Sequence, residues 1–464
     1  GFFDTYDFAQ GGQSNRFSLA FDVEGRSGKT DYALLIYAIA RSMRVQENFT
    51  GFLLDVQDPR QTPHAQRGDR IDRSVSSLTV GTKGHARTRL GVRWAPDVEL
   101  GYFARYDESD GVQLRVEKAN DVPYQRDVDL LARTANVGLH ADLHLQPLRW
   151  MSLRGGLRGD LFTFHNRDRC ASKDIRRPAP GNPPGDASCL AQQDFGRYRD
   201  PEQNISTASI ALMPRGVLTL GPWSGVYLSA AYGEGIRSID PIYVEQGLKT
   251  PFASARSYEG GVSFTGDLGG ATYLARSVFF ETKVDKDLIF SQTEGRNTLA
   301  GGTTRTGWIG AVRLTGKFFD QNANVTVVRS TLDESGLLLP YVPDLVLRSD
   351  TALFADLPLR IEDAPLRGSL GLGLGYIGRR ALPYGQRSDD IFTLDASIGV
   401  AWRFVEVSIM ATNLTDNRYR LGEYNFASDW QTAPRPSLVP VRHFAAGAPR
   451  GVFATLGFTF GGST

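Results

Sequence analysis

The chain has 464 residues and a formal net charge of +1, from 52 basic and 51 acidic side chains. That balance, without a basic block, gives no sign of nucleic-acid binding. No apolar run reaches the roughly eighteen residues of a membrane helix, so a helical membrane protein is excluded. Gly1 opens no charged segment followed by an apolar core, which reads as a processed chain or a fragment.

The predicted elements are strands throughout. They fall near 14–24, 30–55, 70–82, 88–106, 128–144, 149–165, 205–219, 225–234, 256–266, 271–290, 304–316, 322–332, 345–357, 367–378, 391–402, 404–412 and 450–460. Ala135, Val137, Leu139, Ala141, Leu143 and Leu145 alternate with Asn136, Gly138, His140, Asp142 and His144. Met151, Leu153, Leu157 and Leu161 alternate with Ser152, Arg154, Arg158 and Asp160. Cys170 and Cys189 bracket a polar stretch rich in Pro and Gly, the pattern of one disulfide in an oxidising compartment.

The stretch "GLGLGYIGRR" at 371–380 carries Gly373, Gly375 and Gly378 in the dinucleotide-binding spacing. That spacing needs a strand that ends and a helix that begins at the glycines. Here Leu370, Leu372, Leu374 and Tyr376 point one way while Ser369, Gly371, Gly373 and Gly375 point the other. The period of a strand runs straight through, so no cofactor is expected. The next strand repeats the pattern, with Phe392, Leu394, Ala396, Ile398 and Val400 opposite Thr393, Asp395, Ser397 and Gly399. Val405, Val407 and Ile409 then alternate with Glu406 and Ser408.

These strands run to about ten residues or more, against about five or six in soluble sheets. Their connections alternate between tight turns (near 26, 148, 222, 268, 320 and 403) and long polar loops near 57–68, 107–127, 166–204, 235–255, 284–303 and 413–449. Apolar-out, polar-in strands with turns at one rim and loops at the other describe a transmembrane antiparallel β-barrel. Trp94, Trp150, Trp223, Trp402 and Tyr376 near strand ends fit interfacial girdles. About seventeen strands are counted, an odd number that does not close as a single-chain barrel. About twenty-two, with a plugged lumen, is the nearest such architecture. The expectation is therefore a partial barrel over 1–464 whose first strands and plug lie outside these residues.

Several stretches resemble the TonB-dependent outer-membrane receptors: "AAYGEGIRSID" (230–240), "SYEGGVSF" (257–264), "LPYVPDLVLRSD" (339–350), "ATNLTDNRYR" (411–420) and "PRGVFATLGFTF" (449–460). The sequence departs from that family in carrying Gly-Gly-Ser-Thr after Phe460 and in showing no plug. The resemblance implies an outer-membrane receptor of a Gram-negative bacterium and not an enzyme. Such a receptor takes a siderophore, vitamin, sugar or peptide at its loops and imports it with energy from the TonB-ExbB-ExbD system. Its other implied partners are a plug, in the same or a separate polypeptide, and outer-membrane lipid with lipopolysaccharide. A passive substrate-selective channel and a surface-binding barrel remain the alternative readings.

Candidate site residues follow. His140, Asp142, His144, Arg154, Arg158, Asp160, Gly371, Gly373, Gly375, Asp395 and Glu406 face the lumen, where they line a solute path or, as the resemblance implies, bond a plug. Same-face neighbours on a strand stand nearly 7 Å apart, wide for shared coordination, so His140, Asp142 and His144 are assigned no metal. Asp107, Asp110, Asp389 and Asp390 read as solvated loop carboxylates rather than calcium ligands. Arg237, Asp240, Tyr243, Tyr424, Phe426 and Trp430 are the loop residues expected to meet a ligand. No nucleophile stands with a base, and no phosphate loop is present.

Overall fold

The structure, a computed structural model, describes residues 1–53, 68–92, 94, 96–169, 172–173, 203–239, 241, 244, 251–293, 295–362, 364–430 and 439–459. The strands in chain order are β1 (Gly11–Ser27), β2 (Thr30–Glu47), β3 (Arg70–Arg89), β4 (Asp97–Val116), β5 (Pro123–Leu148), β6 (Met151–Asp168), β7 (Ser172–Lys173), β8 (Gln203–Trp223), β9 (Val226–Ser238) and β10 (Phe252–Leu268). They continue with β11 (Ala271–Ser291), β12 (Arg296–Thr315), β13 (Phe319–Leu332), β14 (Leu345–Ile361), β15 (Ala364–Ile377), β16 (Ile391–Trp402), β17 (Val405–Thr412), β18 (Arg420–Phe426), β19 (Val441–Ala446) and β20 (Gly451–Phe458).

Eighteen of these strands share one sheet. β7 is a two-residue addition beside β5. The other seventeen form an antiparallel wall in which each strand pairs with the next wall strand along the chain. The register is unbroken over long stretches; β2 and β3 stay paired from Thr30–Thr88 to Glu47–Ile71. All seventeen strands expected from the sequence are present. Among the described residues β1 pairs only with β2 and β20 only with β17, so the sheet is open between them.

One rim carries tight turns because the sequence supplies residues that enter the left-handed region. Gly269 and Gly270 have φ of 58° and 86°, the requirement of the hairpin turn whose twist matches its strands. The aromatic residues expected at strand ends gather mainly at this rim. Trp94, Trp150 and Trp223 are all exposed there, and the Trp150 and Trp223 rings lie 6.2 Å apart. The opposite rim carries the longer connections. Two loops placed there from sequence are mostly strand. Residues 107–116 belong to β4, and 284–291 and 296–303 to β11 and β12, which leaves connections of only 117–122 and 292–295. The clustered charges that read as loop are satisfied within and across strands: Arg105 bonds Asp107 on β4 itself, Arg133 of β5 bonds Glu108, and Arg169 bonds Asp110. Asp107 and Asp110 are thus wall residues.

The two faces behave as the alternation requires. Leu370 and Leu372 are each 51% exposed on the apolar face. The opposite lane of glycines is roofed by its neighbours. Arg348 of β14 reaches over Gly373 of β15 to Asp395 of β16 at 3.2 Å, while it also grips Asp350. A Cβ on Gly373 would stand 2.7 Å from the Arg348 guanidinium. The strand is bare so that one side chain can cross it.

The substitution Gly373→Val should therefore destabilise the wall by roughly 1–3 kcal/mol, and by clearly less in an Arg348→Ala background, because the obstruction is then gone. Denaturant unfolding in detergent of the two single variants and the double variant measures this coupling. Equal cost in both backgrounds would show that the lane is not shaped by Arg348.

Candidate functional site

The arginine that crosses a small residue recurs on the polar face. Arg215 of β8 passes over Gly156 of β6 to Asp142 of β5, to which it donates from Nε and Nη2. Arg237 of β9 passes over Ala253 of β10 to Asp287 of β11 at 3.2 Å. Asp287 is 3% exposed and also accepts from Thr303 at 2.8 Å and from Arg305. Carboxylates so far from water persist only when hydrogen-bonded and paired. The small residue between the partners gives the guanidinium its path.

Most of the polar-face residues singled out from sequence lie in this network. Asp142 is 5% exposed and stands 4.0 Å from Arg154 as well as under Arg215. Asp160, 2% exposed, is clasped by Arg158 at 2.6 and 2.8 Å, and the Arg158 guanidinium lies 5.3 Å over the Phe103 ring. His140 meets Glu99 at 3.4 Å, and His144 meets Ser152 at 2.9 Å. The ligand atoms of Glu99, His140 and Asp142 fall within 4.8 Å of one another. A cation there would compete with Arg215 for Asp142, so the arrangement serves charge pairing better than metal binding. Asp395 receives Arg348 and, at 3.0 Å, the backbone N–H of Asn413. Glu406 stands exposed on β17, one strand from the open edge.

Asn413 explains the "NLTDNRY" segment physically. It sits at φ 49°, in the left-handed region that Asn tolerates. Its amide donates to the carbonyls of Asn417 and Ala448 at 2.9 and 3.2 Å, and its carbonyl accepts from Asn417 N–H at 3.0 Å. It turns the chain out of the wall and ties both ends of the last long loop together.

That loop contains a feature missed in the sequence, the hairpin β18–β19. Glu423 on it is 1% exposed and accepts from Arg420, from Arg442 and from the backbone N–H of Asp389. Asp389 in turn takes Arg442 at 2.9 Å and Arg420 at 3.1 Å. It is therefore an ion-pair partner rather than a solvated loop carboxylate. The signal for this cluster was present as the charges Arg420, Glu423 and Arg442, but only the fold brings them to Asp389. Asn425 donates to Pro383 O at 3.0 Å, so the hairpin is fastened to the β15–β16 loop.

The residues expected to meet a ligand are mostly occupied in this cap. Phe426 stacks on His443 with centroids 3.9 Å apart, and Tyr424 packs on Tyr341 at 5.3 Å. Trp430 stacks on Tyr6 at 5.0 Å, with the Lys118 ammonium 5.5 Å from its ring. Arg237 lies at the end of β9 in the wall network. Asp240, Tyr243, Cys170 and Cys189 lie outside the described residues.

Among the cap groups shifted from their ordinary values, two bear on its stability in acid. The hydrogen bond from Arg442 holds the Asp389 carboxyl below the usual carboxylate range. Burial pushes the His443 imidazole down, against the opposing bond to the Val441 carbonyl. A depressed histidine resists its proton when folded and accepts it when opened. The stability it carries is present at neutral pH and is lost as pH falls below the opened-state value of about 6.5. A depressed carboxylate gives a second loss in acid, below about 4. Hydrogen-exchange protection of the β18–β19 amides should hold above pH 7, fall below about 6.5, and lose that first step in His443→Phe. A first step that persists in the variant would assign the titration elsewhere.

No protein-family model matches the chain, and no curated protein matches it in sequence. Solved structures do match. The ferric-catecholate import receptor Fiu from E. coli K12, in its closed form, is 14% identical with a TM-score of 0.68, over 98% of this chain and 65% of that one. The ferric yersiniabactin uptake receptor FyuA from Yersinia pestis is 13% identical with a TM-score of 0.69, over 97% and 63%. The copper transporter OprC is 16% identical with a TM-score of 0.67, over 98% and 67%. The chain thus spans 65% and 63% of the first two receptors. By this likeness it has the barrel fold of the TonB-dependent outer-membrane receptors.

Proposed function

We propose that this chain forms the barrel wall of a TonB-dependent import receptor in the outer membrane of a Gram-negative bacterium. The observation that carries this reading is the match of nearly the whole chain to barrels of import receptors. The wall itself supports it. An apolar face turned outward suits lipid, and the paired charges of the opposite face suit contact with a polar plug. Such a plug keeps a wide barrel from leaking. It yields when the inner-membrane proton gradient, through the TonB-ExbB-ExbD system, pulls on it.

The nutrient class, a ferric siderophore, is proposed from receptors of like fold that are named for ferric catecholate, ferric yersiniabactin, ferric citrate and a siderophore, beside one named for copper. The loop cap, with its buried ion pairs and stacked aromatics, is where such a ligand would first bind. Ligand contact would then rearrange the stacks of Tyr424, Phe426 and Trp430.

Cells lacking the gene, with and without a plasmid copy, should be offered a panel of radiolabelled ferric siderophores under iron limitation. Uptake that the plasmid restores and an uncoupler abolishes is the expected result. Restored uptake that survives the uncoupler would make the barrel a passive channel. Surface binding of a partner protein with no uptake in either state would make it a binding barrel.

A further inference from the structure

On the polar face β5 changes character toward the loop rim. Asp142, His140, Gly138, Asn136 and Thr134 are followed on the same side by Ala132, Leu130 and Val128. Leu130 and Ala132 are buried. Opposite Leu130 stands Gly111 of β4, and beyond it Val75 of β3. Gly111 is a bare place like Gly156 and Gly373, but no arginine crosses it. A Cβ built there meets nothing closer than a Val75 methyl at 3.7 Å, against 2.7 Å to the Arg348 guanidinium at Gly373. The space that a crossing side chain fills elsewhere in the wall is open here.

Two connections roof this space. Asn166 of β6 donates from its amide to Pro241 O at 2.9 Å, and Ile239 of the same connection is buried in one apolar cluster with Phe164. Arg115 of β4 donates to Thr293 O at 2.7 Å, which holds the β11–β12 connection over the wall. Between wall and roof lies a cavity of about 310 Å³, with Val75, Val128 and Leu130 on one side and Ile239 and Pro241 on the other. Arg73 and Arg296 also line it, and none of its described lining residues is acidic. Arg73 is half-buried and forms no ion pair or side-chain hydrogen bond with another described residue; its field reaches the Glu47 carboxyl.

An aliphatic cavity with a guanidinium at its edge and no carboxylate of its own fits an apolar acid. Guanidinium forks match carboxylate oxygens. The described lining carries no aromatic ring, so it suits an acyl chain better than a stacked ring. Its volume stands at the lower end of ligand pockets, about 300–1,000 Å³, which is room for one arm of a ligand. We infer that this cavity takes the acyl chain of an amphiphilic carboxylate and that Arg73 holds the carboxylate. As a statement about cargo this rests on the import reading proposed above: the ferric siderophore then carries an acyl chain beside a carboxylate.

The membrane-extracted protein, exchanged into amphipol, should be dialysed to equilibrium against radiolabelled octanoate, with empty amphipol as the blank. One saturable site is expected. Gly111→Leu, which fills the cavity from a strand position with room for a side chain, and Arg73→Gln should each bind at least about tenfold more weakly. Arg16→Gln, exposed on β1, should leave binding unchanged. On the wild type, butyrate should compete at least about tenfold more weakly than octanoate, a comparison that needs no variant to fold. Lack of a saturable site, or equal binding by the wild type and both variants, would overturn the inference. So would butyrate as tight as octanoate, which leaves only an anion site, or octyl phosphate tighter than octanoate. In cells, an N-acylated ferric siderophore should be imported in preference to its deacylated form, and Gly111→Leu should remove the preference. Equal import of both forms sinks the acyl subsite and leaves the import reading standing. Octanoate binding without import of either form sinks the import reading and leaves the cavity site standing.

Discussion

Lateral pairing of the backbone is the constraint on which the rest of this structure depends. Each wall strand between β1 and β20 gives its N–H and C=O groups to two neighbours, so its side chains have only two directions left. In hydrocarbon no other arrangement of sheet is tolerated, because each orphan backbone group costs several kcal/mol. The side chains then sort by medium. Leu370 and Leu372 are apolar on one face, while Asp142, Asp160 and Asp395 on the other need partners inside the wall. Opposite charges on adjacent strands meet directly. Charges two strands apart meet where the strand between them leaves a path. Gly156, Ala253 and Gly373 are those bare places, and Arg215, Arg237 and Arg348 are the side chains that cross them.

The wall was legible in the sequence for the same reason. A period of two survives in any register, so Leu139 and Asp142 announce their faces without knowledge of the neighbours. The glycines of 371–375 were legible as strand and as bare, but not as a channel for Arg348. That reading needs the register of three strands at once, which a single segment does not contain. The loop boundaries failed where strands run on past the apolar band. "DESDG" at 107–111 has the composition of a turn, yet its carboxylates bond arginines of its own and neighbouring strands and stay extended. Composition reports what a segment would do in water. The wall supplies a different surrounding.

The candidate ligand residues show the opposite limit. Tyr424, Phe426 and Trp430 are expected from the sequence to meet a ligand at the loops. In the structure each aromatic ring has found another ring, Tyr341, His443 or Tyr6. A loop rich in aromatics packs on itself before it packs on anything else, since stacking adds about 0.5–1.5 kcal/mol beyond area burial. The cap is therefore a small folded unit with its own ion-pair centre at Glu423. A ligand that binds there must offer contacts better than those it replaces, which favours large, flat or charged ligands over small neutral ones.

The two rims divide the demands of wall and cap. Tight turns at one rim fix register by geometry, with Gly269 and Gly270 twisting the hairpin to match its strands. At the other rim the connections vary in length and carry the charge pairs and ring stacks. The wall thus tolerates change in the cap, because its register is set from the far end. The open edges follow the same logic. β1 presents Phe17, Leu19 and Phe21 outward, all exposed, and pairs on one side only. Its free backbone groups form a row along seventeen residues, and β20 offers a shorter one. In a membrane both rows must be covered by strands, either each other or further ones, and the mismatch in their lengths, seventeen residues against eight, means that direct pairing of β1 with β20 alone would leave about half of the longer edge bare.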